Sequence, residues 1–228
     1  MPRSASPVVR IQHHPARYAL LPPILEALAP LPVEVVTDPD PSGSRNAWRT
    51  YRACLEHHVP ERASHVVVLQ DDTVPCPGFP QALAGALTEA GEVPVALFVS
   101  VRARRTGEWF AAALREGRSW CDWNPADGWL NVVAIAWPAS LIPTFLAWCD
   151  SRKYTGEFWR ADDAIVGEFM RATRTRVRAC VPCLVEHPDT EVSVTQPRRH
   201  NHLMRQSQLR TAISFASEGA EHVDWSLA

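Results

Sequence analysis

Two adjacent carboxylates directly follow a short apolar segment. Residues 66–69 read Val-Val-Val-Leu, which predicts a strand buried on both faces, and Asp71 and Asp72 come after a single further residue. In open α/β sheets, ligands bind just outside the carboxyl ends of the strands. Carboxylates there supply the hard oxygen ligands of a divalent cation that also holds phosphate oxygens. The competing interpretation is that the two residues shape a turn or cap the next helix.

A second acidic pair and a histidine occupy comparable positions later in the chain. Asp162 and Asp163 open a segment whose apolar residues share one helical face, and His187 follows a strand predicted over residues 177–185. A carboxylate at that helix start is placed to take a proton from a reacting hydroxyl, and an imidazole can bind a metal or a phosphate. The alternatives are a helix cap stabilised by the helix dipole and a structural histidine.

Polar side chains also follow the strands of the N-terminal half, where a nucleotide would bind. From positions at or just after strand ends, they could reach a base, a ribose or a phosphate, and they are His13, Arg17, Asp38, Asn46 and Arg49. Asp38 and Arg49 are the favoured pair among them.

Aromatic side chains are concentrated in residues 120–129, together with Asp and Asn. Stacking faces beside hydrogen-bonding groups suit the binding of a sugar or an acceptor, and Trp129 is the candidate contact. The packing of a long loop is an equally good interpretation of the same composition.

The order of predicted elements defines the scaffold that positions these residues. Strands are predicted over residues 7–12, 31–37, 66–69, 94–100, 130–138 and 177–185. Helices intervene over residues 18–28, 45–57, 81–90 and 139–149. This alternation predicts an α/β domain with a mostly parallel central sheet flanked by helices. With no linker or repeat, residues 1–228 are predicted to be one domain, with a nucleotide-binding half at about 8–100 and an acceptor-binding half at about 101–215.

Composition narrows the class of protein. A formal net charge of −2 and a pI near 6.5 provide no overall attraction to nucleic acid or to an anionic membrane. No run approaches the roughly 18 apolar residues of a membrane span, and the first residues lack the apolar core of a secretion signal. A cytoplasmic location is therefore predicted. Cys180 and Cys183 form a Cys-x-x-Cys inside an apolar, strand-like run, which favours core cysteines over zinc or redox use.

The order of these motifs resembles that of small GT-A-type nucleotide-sugar glycosyltransferases. An apolar strand leads into Asp71 and Asp72, a later helix begins with Asp162 and Asp163, and a late strand ends in His187. In that family, an acidic motif after a central strand, commonly Asp-x-Asp, coordinates Mn²⁺ or Mg²⁺ on the sugar diphosphate. The corresponding residues here read Gln-Asp-Asp.

This resemblance covers most of the chain and implies a GT-A-like, Rossmann-like fold and a hexosyl- or pentosyltransferase. It implies that Asp71, Asp72 and His187 contact the metal or the diphosphate of a nucleotide-sugar donor, with a UDP-sugar favoured. It also implies that Asp163 or Asp162 acts on the acceptor as a base or orients the sugar. The acceptor stays open among a saccharide, a small molecule, a protein and a modified DNA base.

Sugar transfer accounts for these residue types on chemical grounds as well. The bond to a diphosphate breaks, and negative charge builds on the leaving phosphate, where a cation held by carboxylates stabilises it. The acceptor hydroxyl must lose a proton, which a nearby carboxylate can accept.

Two other classes of function compete with this interpretation. A nucleotidyltransferase shares the sheet and the metal-held phosphates, but it usually carries a Gly-rich loop after the first strand, where this chain has His-His-Pro-Ala-Arg at residues 13–17. A non-catalytic module on the same fold could bind a glycan or a nucleic acid. Arginines within residues 102–105, 174–178 and 198–199 keep DNA open as a polyanionic acceptor.

Overall fold

The computed structural model describes residues 5–42, 46–128, 130–158, 160–188 and 211–227. Its strands are β1 (Pro7–His13), β2 (Val33–Thr37), β3 (His65–Gln70), β4 (Val74–Pro75), β5 (Val95–Ala96), β6 (Trp120–Asp122), β7 (Ala134–Pro138), β8 (Arg178–Cys180) and β9 (Val185–Glu186). Its α-helices are α1 (Leu21–Leu28), α2 (Ala47–Glu56), α3 (Phe79–Ala90), α4 (Arg104–Arg115), α5 (Ile142–Ser151) and α6 (Asp162–Thr173). Short 3-10 turns precede α1 and α5.

In this part of the chain, seven strands form one sheet in the order β2-β1-β3-β7-β5-β8-β6. β1 pairs in parallel with both β2 and β3, and β5 pairs in parallel with β8. β7 and β6 run antiparallel to their neighbours. Because the other five strands share one direction, the predicted α/β fold with a mostly parallel, Rossmann-like sheet is confirmed.

The centre of the sheet is buried on both faces, as the apolar run predicts. Val66, Val67, Val68 and Leu69 of β3 are fully buried between β1 and β7. Helix α2 packs its apolar face on the sheet, and the buried Trp137 of β7 donates a hydrogen bond from Nε1 to the Tyr51 hydroxyl of that helix at 2.8 Å. Such two-sided burial is characteristic of sheets covered by helices.

Several element boundaries differ from the predicted ones. β7 begins at Ala134, because the amides of Leu130 and Val132 are directed to Asp163 instead of to a strand. The predicted strand over residues 177–185 divides into β8 and β9, with Pro182 in the break, since proline has no N–H to donate to a ladder.

Part of the aromatic segment 120–129 contributes to the core. Residues 120–122 form the edge strand β6, and Trp120 and Trp123 are buried. Trp120 donates a hydrogen bond from Nε1 to the Trp225 carbonyl at 2.8 Å, and the two rings lie 5.2 Å apart between centroids. Trp120 and Trp123 therefore pack inside the protein, which agrees with the packing interpretation for these two residues of the segment.

No helix among the described residues has the length and apolarity required to cross a membrane. The cytoplasmic location, the single domain over residues 1–228 and its division into two halves stay predictions.

Candidate functional site

The candidate site lies where the carboxyl ends of β1, β2 and β3 meet. The Asp71 amide donates to the Gln12 carbonyl at 3.2 Å, and the Asp38 amide donates to the His13 carbonyl at 2.8 Å. Because β7 runs in the opposite direction, its beginning reaches the same edge, where the Val133 carbonyl accepts from the Gln70 amide at 2.9 Å. The edge therefore collects polar residues from distant parts of the sequence.

Asp71 organises the turn that follows β1. Its Oδ2 accepts from the backbone amide of His14 at 2.7 Å and lies 3.0 Å from Nδ1 of His13. Its Oδ1 accepts from Nη1 of Arg17 at 2.9 Å. Both oxygens of this buried carboxylate thus have partners within the protein, and Asp71 holds the first turn in place.

Asp72 has a different environment. Its Oδ2 lies 2.7 Å from Nη1 of Arg17 and 3.2 Å from Nε2 of His187. Its Oδ1 is buried and has no hydrogen-bond partner among the described residues. Burial alone would raise the pKa of Asp72, but the hydrogen bond and charge of His187, followed by the charge of Arg17, lower it to about 2. Asp72 is therefore a carboxylate held in its ionised form with one oxygen unused.

The depressed pKa of Asp72 predicts a stability change at acidic pH. Its ionised form stabilises the folded protein above about pH 4, and this contribution, on the order of 2 kcal/mol, disappears as the pH falls toward about 2. We expect Asp72→Asn to be less stable than the wild type at pH 7 and the difference to close near pH 2, as measured by urea unfolding. Asp122→Asn, which alters an exposed ion pair, is the control. A difference independent of pH would contradict the assignment.

A short antiparallel ladder brings His187 to Asp72. In β4 and β9, Val74 pairs with Glu186 and Pro75 pairs with Val185. Since β4 begins two residues after Asp72 and β9 ends one residue before His187, the ladder fixes the two side chains beside each other.

The second acidic pair forms the first turn of α6. Asp162 Oδ1 accepts from the Asp163 amide at 3.0 Å, and Asp163 Oδ1 accepts from the Val132 amide at 2.9 Å. The helix is preceded by Ala161 and has no side-chain cap from that residue. The pair is therefore anchored to the segment before β7, which lies at the same sheet edge as the Asp71–Asp72 pair.

Both carboxyl groups of this pair hold their protons more tightly than usual. Burial, followed by the charge of Asp162, raises the pKa of Asp163 to about 7, while the Val132 amide and His187 oppose the rise. Burial also raises the pKa of Asp162, against the backbone amide of Asp163 and the side chain of Gln12. Although Gln12 is close enough to affect this pKa, Asp162 Oδ2 has no hydrogen-bond partner of normal geometry among the described residues. The hydrogen bond from the Val132 amide, next to the Val133 carbonyl that accepts from Gln70, places Asp163 at the same sheet edge as the Asp72 cluster.

The favoured nucleotide-binding pair, Asp38 and Arg49, forms an internal ion pair. Arg49 donates to Asp38 Oδ1 from Nε at 3.0 Å and from Nη2 at 2.9 Å, and Nη2 also donates to the Asp40 carbonyl at 2.8 Å. Asn46 donates from Nδ2 to the Gly156 carbonyl at 2.8 Å, and its buried Oδ1 has no partner among the described residues. These residues border the site on the β2 side.

The predicted site residues thus fall into three groups. The structure brings His13, Arg17, Asp71, Asp72 and His187 into direct contact. It places Asp162 and Asp163 at the same sheet edge, and Asp38, Asn46 and Arg49 at the border of the cluster. Trp129 lies outside the described residues.

Two groups that belong to the candidate site were not predicted from the sequence. Gln12 lies inside a strand, donates from Nε2 to the Ala47 carbonyl at 2.8 Å, and has a buried Oε1 without a partner in the described part of the chain. A polar residue near the carboxyl end of an apolar strand was the available signal. The role of the Val132 amide could not be recognised from the sequence, because every non-proline residue has a backbone N–H group.

The fit of a divalent cation depends on which side chains still have donor atoms. Among the described residues, no group of three or more His, Cys, Asp or Glu side chains is arranged to hold a metal ion. Asp71 does not fit, since both of its oxygens are engaged. Asp72 and His187 fit as two ligands, because Asp72 Oδ1 is buried without a partner and the imidazole is adjacent. Diphosphate oxygens and water would complete such a coordination shell.

Comparisons with known proteins do not assign a family to this chain. No family model matches it, and no curated protein matches it. Among solved structures, one similar chain is the mannose-1-phosphate geranyltransferase from Thermus thermophilus, with 12% identity, a TM-score of 0.42, and coverage of 78% of this chain and 74% of that one. That protein is named as a transferase, but a similarity of this extent carries no argument about the activity of this chain.

Proposed function

We propose that this protein is a metal-dependent transferase that moves a sugar from a nucleotide-diphosphate sugar to an acceptor hydroxyl. The observation that carries the proposal is Asp163, a carboxyl group with a pKa of about 7 at the same sheet edge as the buried cluster of Asp71, Asp72, Arg17 and His187. A group with that pKa is well matched to accept a proton at neutral pH. Perturbed carboxyl groups at strand ends are typical of enzyme sites.

The donor would bind at the carboxyl ends of β1 and β3. Asp72 and His187 would hold Mn²⁺ or Mg²⁺, which supplies positive charge opposite the leaving diphosphate. Arg17 is within reach of the same region, and its planar guanidinium is suited to phosphate oxygens. Asp38 and Arg49 border this region on the β2 side, where a ribose or a base of a UDP-sugar would lie.

The acceptor would bind on the side of α6. The acceptor oxygen attacks the anomeric carbon, the bond from that carbon to the diphosphate breaks with its electron pair on the diphosphate, and the hydroxyl proton passes to Asp163. The Val132 amide holds Asp163 Oδ1, so Oδ2 is the oxygen that would take the proton. Asp162 contributes by raising the proton affinity of Asp163. Attack opposite the leaving group inverts the anomeric configuration.

Nucleotidyl transfer to a sugar phosphate is the second candidate. Asp72, His187 and Arg17 would suit the phosphates of a nucleoside triphosphate and its metal as well as those of a nucleotide sugar. A phosphate nucleophile is already ionised at neutral pH, however, and needs no base with a pKa near 7. Asp163 therefore favours an acceptor hydroxyl. A non-catalytic glycan- or nucleic-acid-binding module is distinguished from both by the absence of turnover.

Thermal stability with nucleotides tests the donor site. We expect one nucleotide diphosphate or its sugar, with UDP first among those tested, to raise the melting temperature in the presence of Mn²⁺ and much less without it, because ligands of the native state stabilise it. At a ligand concentration one hundred times the dissociation constant, the gain is about 2.7 kcal/mol. Asp72→Asn is expected to lose the metal-dependent part, and Asp122→Asn to keep it.

Product analysis then separates the candidates. Release of the nucleoside diphosphate from a nucleotide sugar, with a new glycoside on the acceptor, supports sugar transfer. Release of pyrophosphate when a nucleoside triphosphate reacts with a sugar phosphate supports nucleotidyl transfer. A wild type whose melting temperature responds to no nucleotide with either metal would contradict both.

A further inference from the structure

A single guanidinium nitrogen joins the two carboxylates of the Asp71–Asp72 pair. Nη1 of Arg17 lies 2.9 Å from Asp71 Oδ1 and 2.7 Å from Asp72 Oδ2. The Arg17 side chain is only 12% exposed, and the two carboxylates are more deeply buried. In this environment the arginine neutralises charge that would otherwise be costly to bury.

Arg17 and a divalent cation compete for the same carboxylate. A metal bound by Asp72 would share that side chain with the guanidinium, and two positive charges at such short range repel each other strongly in a poorly solvated site. Guanidinium groups bind carboxylate and phosphate oxygens with similar geometry. The oxygens of a diphosphate are therefore a suitable alternative partner for the displaced side chain.

The segment that carries Arg17 is held at its start by hydrogen bonds to Asp71, but it contributes no buried residue to the core. Arg17 belongs to the 3-10 turn Pro15–Leu20, none of whose residues is buried, and the neighbouring Tyr18 is 73% exposed. The backbone leaves the helical region at Arg17, with φ −111° and ψ 20°. Segments with few buried contacts move at low free-energy cost.

We propose that Arg17 is an internal counter-ion that stands in for the divalent cation until the donor binds. In the ligand-free protein it neutralises Asp71 and Asp72. When a cation binds Asp72 together with a nucleotide diphosphate, the guanidinium of Arg17 moves from Asp72 to the diphosphate. This inference rests on the proposed function for its diphosphate, and it predicts that the cation binds weakly alone and tightly with the nucleotide.

Binding of Mn²⁺ without any nucleotide tests the counter-ion directly. We expect Arg17→Gln to bind Mn²⁺ about tenfold or more tightly than the wild type in isothermal titration calorimetry, because the competing charge is gone. The double variant Arg17→Gln with Asp72→Asn should lose this gain. Arg52→Gln is the matched control, since Arg52 is similarly buried, with 10% of its side chain exposed, and pairs with Glu56 and Asp150 away from the site. Equal Mn²⁺ affinity in Arg17→Gln and the wild type would overturn the proposal.

Adding UDP tests the second half of the proposal, the movement of the Arg17 guanidinium from Asp72 to the diphosphate. UDP should tighten Mn²⁺ binding about tenfold or more in the wild type and clearly less in Arg17→Gln. The variant lacks the guanidinium that would donate hydrogen bonds to the diphosphate. An unchanged effect of UDP in the variant would overturn this half. If the wild type binds no nucleotide with Mn²⁺, the proposed function fails together with this half, whereas tighter Mn²⁺ binding by Arg17→Gln alone still establishes the counter-ion.

A measurement on the wild type covers the case in which Arg17→Gln does not fold. In a nitrogen-15 spectrum of arginine side chains, the Arg17 signal is identified by its loss in Arg17→Lys. We expect this signal to shift when Mg²⁺ and UDP are added together and to stay unchanged with Mg²⁺ alone at low concentration. A signal that is unaffected by the two ligands together, although the melting temperature rises, would overturn the proposal.

Discussion

Asp163→Asn is expected, under the proposed function, to reduce sugar transfer by about 10²- to 10⁴-fold while leaving donor binding intact. The asparagine keeps an oxygen for the Val132 amide, so the start of α6 should be preserved. It cannot accept the hydroxyl proton. Steady-state kinetics with saturating donor and a Mn²⁺-dependent thermal shift on the same preparation measure the two properties separately.

The pH dependence gives this prediction a second readout. Because the pKa of Asp163 is raised to about 7, the wild-type rate should increase as the pH rises through 7 and the carboxyl group ionises, whereas the residual rate of the variant should lack this limb. The folded protein holds this proton between about pH 4 and pH 7, where the unfolded chain has released it. Stability therefore falls as pH rises through that window, and Asp163→Asn should gain on the order of 1 to 3 kcal/mol relative to the wild type at pH 8.

Asp122→Asn, an exposed aspartate that pairs with Arg176, serves as the control and should leave both the rate and its pH profile unchanged. A variant Asp163→Asn with the wild-type rate would exclude Asp163 as the base. A variant that loses donor binding and activity together would assign Asp163 to the donor site instead.

Arg10→Met is expected to destabilise the fold by about 2 to 4 kcal/mol. Arg10 lies in β1 and is completely buried. It donates to the carbonyls of Cys54 and His58 at 2.7 Å each and to Glu34 Oε2 at 2.8 Å. Methionine fills part of the volume but leaves the carbonyls of Cys54, in the last turn of α2, and of His58, just after the helix, without their donor.

Urea unfolding monitored by tryptophan fluorescence measures this loss. Arg118→Gln, which alters an exposed pair with Glu116, should change the free energy of unfolding by less than about 0.5 kcal/mol. If Arg10→Met were as stable as the wild type, the three hydrogen bonds of Arg10 would contribute nothing net to folding.

Much of the fold could be predicted because buried strands appear in the sequence as runs of apolar residues. In β1 and in β3, the polar site residues follow at or directly after the end of the strand. Parallel strands place their carboxyl ends at one edge of the sheet, so the two sets of residues meet. For this reason Arg17 and Asp72 could be predicted for the same site although they are distant in sequence. The direction of β7 could not be predicted, since an apolar run is the same when it is read in either direction.

The different environments of the two carboxylates in each acidic pair could not be predicted either. Asp71 and Asp72 have the same chemistry, and only the three-dimensional structure shows that Asp71 is fully engaged whereas Asp72 has an unused oxygen beside His187. Likewise, the raised pKa of Asp163 depends on its burial and on the neighbouring Asp162. Burial of a polar side chain depends on elements that fold over it, and local sequence does not encode it.

The ladder between β4 and β9 has a consequence for protein synthesis. A ribosome releases the chain from its N-terminus, and the β1–β3 region, with Arg17 and Asp72, emerges long before β9. Until Val185 and Glu186 are made, β4 has no partner strand and His187 does not exist. A nascent chain shorter than 187 residues therefore cannot form the contact between Asp72 and His187, and a prematurely terminated chain would lack that imidazole. Under the proposed function, only a chain translated past His187 acquires the complete donor site.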